Sequence, residues 1–211
     1  MTDRINAQLA FLTEACRLKS ILRATTLCDG SRRENSGEHS WHIALYAMVL
    51  GEQAAPEVNI NRVIRMLLIH DLVEIDAGDV PIHGNHDSTA QAAIEQTAAT
   101  RIFGLLPPDQ AETFRALWDE FEAARTPDAI FAKSIDRVQP VIANLETDGG
   151  TWPAFNVTAS QLETRVGSKV ARGAPALWVA LKTRIDAWFS PPLLIVRVKI
   201  SRGHGGWPPL C

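Results

Sequence analysis

An all-α, single-domain protein is the fold class this sequence predicts, on three observations. Apolar residues recur at helical spacing in one segment after another, as Ile5, Leu9, Leu12, Ala15, Cys16 and Leu18 do at the start of the chain. Short polar, glycine-bearing or proline-bearing breaks separate these segments. Strand pairing is needed nowhere, and no repeat on the order of 20–50 residues is visible. A chain of 211 residues is long enough to bury one good core and short enough to form one domain.

Taken in order, a helix is expected over residues 5–22, followed by a loop over 25–37 rich in Gly, Ser, Asp and Asn. Ser36 is the expected N-cap before the apolar run 41–50. Residues 59–77 read as the most hydrophobic helix: Val63, Ile64, Met66, Leu67, Leu68, Ile69, Leu72, Val73 and Ile75 cover nearly every face. Such a helix is expected at the centre, surrounded by the others. A polar loop follows Gly78, then a helix over about 90–103. Residues 105–108 break it, and Asp109 or Gln110 opens a helix through Glu122. Pro127 sits near the start of the next, where proline is tolerated. Pro140 within that helix predicts a kink or local break. Residues 147–157 read as a loop, and helices over 158–172 and 175–189 complete the set. Trp41, Trp118 and Trp178 stand at core-like positions.

The domain is placed at 1–189 and an atypical tail at 190–211. That tail carries Pro191-Pro192, an alternating LLIVRVKI and a Gly/Pro-rich end. An edge strand, a partner-binding tail and an out-of-frame end all fit it.

Composition excludes several classes. The chain is 46% hydrophobic and 21% charged, as ordinary globular proteins are. A net charge of -3 gives no bulk electrostatic grip on a nucleic-acid polymer. Cys16, Cys28 and Cys211 are odd in number and lack CxxC pairing, so reduced thiols are expected. Asp3, Arg4 and Glu14 interrupt any signal-peptide-like apolar stretch. No run of about 18 apolar residues occurs, which argues against a membrane span. The expectation is a cytoplasmic enzyme or regulator.

The chemistry starts from charge in a core. His70, Asp71 and Glu74 interrupt the apolar run MLLIHDLVEI, and an unpaired charge there is very costly. One His–Asp dipeptide alone is common by chance and reads as a simple pair beside an exposed Glu. Three further features argue for a site. His70 and Glu74 are four apart, on one helical face. His39, in EHSWH, opens another apolar helix, and Asp136, in AKSIDRVQPV, is again an acid in a core-type helix. Two imidazoles and two carboxylates suit a mid-hardness divalent ion such as Mn²⁺, Fe²⁺, Co²⁺ or Ni²⁺. Four such ligands leave room for water and a substrate oxygen.

The pattern H…HD…D, with RRENSGEHS before the first apolar helix and HDLVEIDAGDVP around the second, resembles the HD-domain superfamily. More narrowly it is similar to the 5′-deoxynucleotidase / HD-domain-containing-protein-2 group, over roughly residues 10–145. The resemblance implies that His39, His70, Asp71 and Asp136 hold a divalent ion: Mn, Co, Fe, Ni or Mg. Glu74 matches the residue used as general acid or base, or as ligand to a second ion with Asp79. Asp79, with Val80, Pro81 and Ile82, matches a loop that touches the nucleoside, and Arg23 matches an arginine that orients the phosphate. Where some relatives carry an aromatic residue after that arginine, this chain has Ala24. The implied reaction is hydrolysis of a (deoxy)nucleoside 5′-monophosphate, by a homodimer or larger homo-oligomer.

Two rival readings remain: an HD phosphohydrolase acting on a triphosphate or cyclic nucleotide, and a metal-bound nucleotide-sensing module. Glu74 and Asp79 favour an enzyme, since a module that only binds has no need of an acid–base group. His42 reads as a core histidine or one behind the ligands, and His83 and His86 as plain loop residues. Arg32 and Arg33 flank the loop and either attract an anion or are simply solvated; His204 lies in the tail.

Overall fold

Capping chemistry sets where the helices begin. In the computed structural model, which describes residues 2–84 and 86–190, helix α1 spans Thr2–Ala15 and runs into a 3₁₀ turn, Cys16–Ser20. Helix α2 spans Ser36–Val49. Its cap is Asn35, not Ser36 as expected: the Asn35 side chain accepts the Glu38 N–H at 2.9 Å, and the Glu38 carboxylate accepts the Asn35 N–H at 3.2 Å. That reciprocal pair leaves the Ser36 hydroxyl free for a long-range partner.

The stretch expected as an unpaired loop is a hairpin. Strand β1 (Leu22–Thr26) pairs antiparallel with β2 (Arg33–Asn35), Leu22 opposite Asn35 and Thr26 opposite Arg33, with an irregularity between. Asp29, whose side chain accepts the Ser31 N–H at 2.9 Å, and Gly30, at φ 70°, turn the chain. Strands of five and three residues are too short to show a period-two pattern. The all-α class stands, because this two-stranded sheet is the one sheet among the described residues.

The central segment also differs from a single helix. Helix α3 covers Ile60–Ile69, a 3₁₀ turn covers His70–Val73, and helix α4 covers Glu74–Ala77. Trp118 explains the tightening: its indole N–H donates to the His70 carbonyl at 3.1 Å, and the Glu74 N–H turns to Asp71 and Leu72 instead. Nor is α3 apolar all round. Val63, Met66, Leu67 and Ile69 are buried, whereas Arg65 is exposed and Leu68 is 47% exposed. Gly78, at φ 72°, ends α4.

Helices α5 (Ser88–Phe103) and α6 (Pro108–Ala123) follow as expected. Helix α7 (Pro127–Glu146) runs through Pro140 without the expected break. Between Gly150 and Phe155, where a loop was expected, helix α8 (Thr151–Ala154) buries Trp152 to 1% exposure. The Asn144 side chain accepts the Thr151 N–H at 2.7 Å and so opens that short turn. Helix α9 (Ala159–Leu162), a π turn (Glu163–Gly167) and α10 (Ser168–Gly173) form one nearly continuous rod, and α11 (Pro175–Phe189) closes the fold.

Two apolar clusters meet on α7. One gathers α1–α6 around Phe131 and Ile135; the other gathers α8–α11 around Val138, Val141 and Trp152. Trp118 and Trp178 are buried as expected, but Trp41 is 62% exposed. Cys16 and Cys28 are free and exposed. Among the described residues no helix is long and apolar enough to cross a membrane. The tail expected at 190–211 lies, after Ser190, outside the described residues.

Candidate metal centre

Three helical segments deliver the polar groups to one point. His39, on the second turn of α2, is fully buried, with Nε2 3.1 Å from Asp136 Oδ1 on α7. His70 Nδ1 donates to the Leu67 carbonyl at 2.8 Å, so the proton sits on Nδ1 and Nε2 presents a lone pair. That Nε2 is buried without a hydrogen bond, 2.8 Å from Asp71 Oδ1 but off hydrogen-bonding geometry, and 3.6 Å from Asp136 Oδ1. One donor atom from each of His39, His70 and Asp136 lies within 4.8 Å of the others. Asp71 adjoins this trio through His70, and its Oδ2 accepts from Arg23 Nη1 at 2.9 Å.

An orphaned imidazole nitrogen surrounded by carboxylate oxygens is a costly arrangement unless a cation joins them. Two imidazole nitrogens and carboxylate oxygen make a donor set that fits a divalent ion of intermediate hardness. The protonation energetics agree. Burial raises the Asp136 carboxyl, but the adjacent imidazoles of His39 and His70, which favour its ionised form once they carry a second proton, outweigh it and hold the group well below the usual range. Burial likewise raises Asp71, and the charges of His70 and Arg23 bring it down to about 2. Burial lowers His70, while Asp71 and Asp136 carry it up to about 10. Such a nitrogen holds a positive partner strongly, whether proton or metal.

A support layer stands behind His39 that the sequence reading did not include. Gln139 Nε2 donates to Glu34 Oε1 at 3.0 Å, which turns its Oε1 toward His39 Nδ1 at 3.1 Å. The Glu34 Oε2 lies 3.5 Å from the same nitrogen. Both acceptors place the ring proton on Nδ1 and leave Nε2 facing Asp136. The signals were present: Glu34 lies in RREN just before EHS, and Gln139 is three residues past Asp136, on its helical face. His42 stays outside the trio, as expected, with Nδ1 3.5 Å from Gln139 Nε2 and its ring edge-on to Tyr46.

Arg23, on β1, has only 12% of its side chain exposed and sits among acids. Its Nη1 is 3.7 Å from Asp79 and 3.8 Å from Glu74, and its Nε is 3.9 Å from Glu34. Burial opposes its charge, but Asp71, Asp79 and Glu74 raise its pKa above the usual value. Glu74 does not arrive by sharing a face with His70, as the four-residue spacing suggested. A 3₁₀ turn has about three residues per turn, so residues four apart do not stack. Its Oε2 instead accepts from the Ser36 hydroxyl at 2.5 Å. Burial and the charge of Asp71 push Glu74 up to about 9, against the pull of Arg23. Asp79 is raised for the same two reasons, and its Oδ2 accepts the Ala24 N–H at 3.2 Å.

Arg23, His70, Asp71, Glu74, Asp79 and Asp136 all line one cavity of about 650 Å³, and Val80, Pro81 and Ile82 line it too. That size suits a nucleotide-sized ligand. His83 and His86 also reach the cavity wall but do not join the trio. Arg32 is paired with Glu38 at 2.6 Å, and Arg33 donates to the Arg23 and Leu22 carbonyls, so neither is free for an anion.

Comparison with known proteins places the chain. A crystal structure of a predicted metal-dependent phosphohydrolase from Magnetospirillum magnetotacticum MS-1 is 46% identical, covers 90% of this chain and 100% of its own, and superposes with a TM-score of 0.83. The human 5′-deoxynucleotidase HDDC2 is 28% identical over 135 residues, which are 64% of this chain and 65% of that protein. A Schizosaccharomyces pombe relative, 5′-deoxynucleotidase hdd1, is 29% identical over 141 residues, 64% of this chain and 70% of its own. A third, 5′-deoxynucleotidase plu3092 of Photorhabdus laumondii subsp. laumondii, is 27% identical over 167 residues, 75% and 84% of the two chains. The HD domain model matches residues 15–178, across both apolar clusters and every residue of the site, and this chain therefore belongs to the HD-domain family.

Proposed function

We propose that this protein is a divalent-metal-dependent phosphomonoesterase that hydrolyses (deoxy)nucleoside 5′-monophosphates to nucleoside and phosphate. The observation that carries the reading is the convergence of His39, His70 and Asp136, with Asp71 adjoining, at a cavity whose wall holds His70, Asp71 and Asp136 together with Arg23 and Glu74. The similarity to 5′-deoxynucleotidases and to a metal-dependent phosphohydrolase supports it.

His39, His70, Asp71 and Asp136 would hold the ion, one of Mn, Co, Fe, Ni or Mg. When bound, it supplies Lewis-acid stabilisation of phosphoryl charge and lowers the pKa of water. Arg23 offers its planar fork to the phosphate, already charged and held by surrounding acids. Glu74, raised to about 9, keeps a proton near neutrality. With Oε2 engaged by Ser36, Oε1 is the atom that passes it to the leaving 5′-oxygen. Asp79, Val80, Pro81 and Ile82 line the nucleoside side of the cavity. A single ion is proposed: the Arg23 guanidinium lies within 3.8 Å of both Glu74 and Asp79, where a second ion would need to sit.

The test is a screen of purified protein against nucleoside 5′-monophosphates with each of these ions, reading phosphate release. No release with any ion would end the proposal.

A further inference from the structure

Next to the cavity, sharing Glu122, Lys133, Arg137 and Lys169 with its wall, lies a smaller annex of about 190 Å³ that the proposed function leaves unused. Lys133, Arg137 and Lys169 line both spaces, and Arg172 completes the annex. Four of its seven lining residues are cations, against one carboxylate, Glu122.

The fold puts them there by packing α10 across α7. The Ser134 hydroxyl donates to the Lys169 carbonyl at 3.1 Å, and Gly173 lies so close to Ser134 and Ile130 that a Cβ would not fit. Lys133 and Arg137 are one turn apart on α7; Lys169 and Arg172 are one turn apart on α10. Like charges at this spacing destabilise a helix, and here two helices point them at one space. Lys133 is partly neutralised, with Nζ 2.9 Å from Glu122 and over the Phe121 ring. The Arg137 Nε lies 3.6 Å from Asp136 Oδ2. Neither Lys169 nor Arg172 has a carboxylate within 4.0 Å among the described residues.

We infer that the annex is an anion subsite, and that beside 5′-monophosphates the site takes, and prefers, a nucleotide bearing a second phosphate on its ribose in addition to the 5′-phosphate that is cut. This rests on the phosphohydrolase reading of the same cavity. The scissile phosphate belongs at Asp136 and Arg23; Arg137, whose Nε lies 3.6 Å from Asp136 Oδ2, lines both the cavity and the annex, so a second anion held there neighbours the first. A neutral base has no use for four cations, and a second phosphate offers three acceptor oxygens to them. Water attacks the 5′-phosphorus, the bond to the 5′-oxygen breaks, and that oxygen takes a proton. The products are inorganic phosphate and a nucleoside 3′-monophosphate.

The experiment compares adenosine 3′,5′-bisphosphate with adenosine 5′-monophosphate on the metal-loaded protein, with products separated by chromatography. Wild type should favour the bisphosphate in kcat/KM by about tenfold or more, the worth of one or two charge-assisted hydrogen bonds. Arg172→Ala, at an exposed position that lines the annex and not the main cavity, should lose most of that preference and leave the monophosphate rate unchanged; adding Lys169→Ala should erase what preference remains. Equal kcat/KM for the two nucleotides in wild type would overturn the inference, as would a variant that loses both activities alike. Stimulation of monophosphate hydrolysis by added inorganic phosphate, absent in the variant, would reassign the annex to an effector and overturn it too. If neither nucleotide is cut, the phosphohydrolase reading is what fails, and calorimetric binding decides the annex. Tighter binding of the bisphosphate, lost in the double variant, supports it; equal binding of both nucleotides overturns it.

Discussion

The two halves of α7 are buried in different ways. Up to Ile135 the helix packs in a cluster that also encloses His39, His70 and Asp71; from Val138 onward it packs against Trp152, Trp178, Leu181 and Ile185. The first region keeps charge in the core through a chain of polar contacts, from Glu34 through Gln139 to His39, whose far nitrogen faces Asp136. Removing one member strands the rest, which is costly. The second region is held by apolar contact, where a deletion costs burial and cavity and nothing else. Substitutions in the first should therefore change function out of proportion to stability, and those in the second the reverse.

The largest effect is expected at the proposed metal ligands. His39→Ala or Asp136→Ala should each abolish metal binding and nearly all activity. Chelation should lower the melting temperature of wild type, removing about 2.7 kcal/mol at a hundredfold excess over Kd, and leave the His39→Ala protein almost unmoved. An equal fall in both would count against the four ligands.

Glu74→Gln comes next. Metal content should persist while kcat falls on the order of 10²–10⁴-fold. Near-wild-type kcat across about pH 5–9 would refute its acid–base role. Gln139→Leu tests the support layer. Losing the acceptor on His39 Nδ1 should weaken metal affinity by about 10–100-fold, measured by competition with a chromophoric chelator. Unchanged affinity would show that packing of the buried ring, not the Glu34–Gln139 pair, orients it.

A pH titration of the chelated protein sharpens the contrast further. Glu74 is raised from 4.5 to about 9 and His70 from 6.5 to about 10. Both therefore bind more proton folded than unfolded across this interval, so stability falls as pH rises. The contribution of His70 is full below about pH 6.5 and lost through 10. The penalty from Glu74 grows from about 4.5 to 9. Urea midpoints of the chelated protein should drop between about pH 6 and 9.5, less steeply in Glu74→Gln. A midpoint that climbs with pH would contradict both shifts. The smallest effect on metal binding is expected in the second region. Leu181→Ala, deleting a buried side chain of α11, should cost about 2–5 kcal/mol of stability and leave metal affinity unchanged; a parallel loss of affinity would mean the two regions are not separable.

The sequence by itself determined the helical class and most helix starts, and it singled out His39, His70, Asp71 and Asp136 as candidate ligands. These are legible in one dimension, because an ionisable residue inside an apolar helical run stands out against its own neighbours. What escaped it depends on partners far along the chain. The hairpin at Leu22–Asn35 needs a register that two short strands do not advertise. The 3₁₀ turn at His70 exists because Trp118, 48 residues later, takes its carbonyl. Glu74 reaches the site through Ser36, and the tautomer of His39 depends on Gln139, 100 residues away. The basic annex appears only when α10 lies across α7. Local pattern reports which face of a segment is buried; only the tertiary structure decides which other segment meets that face, and so which charges are answered and which are left free for a ligand.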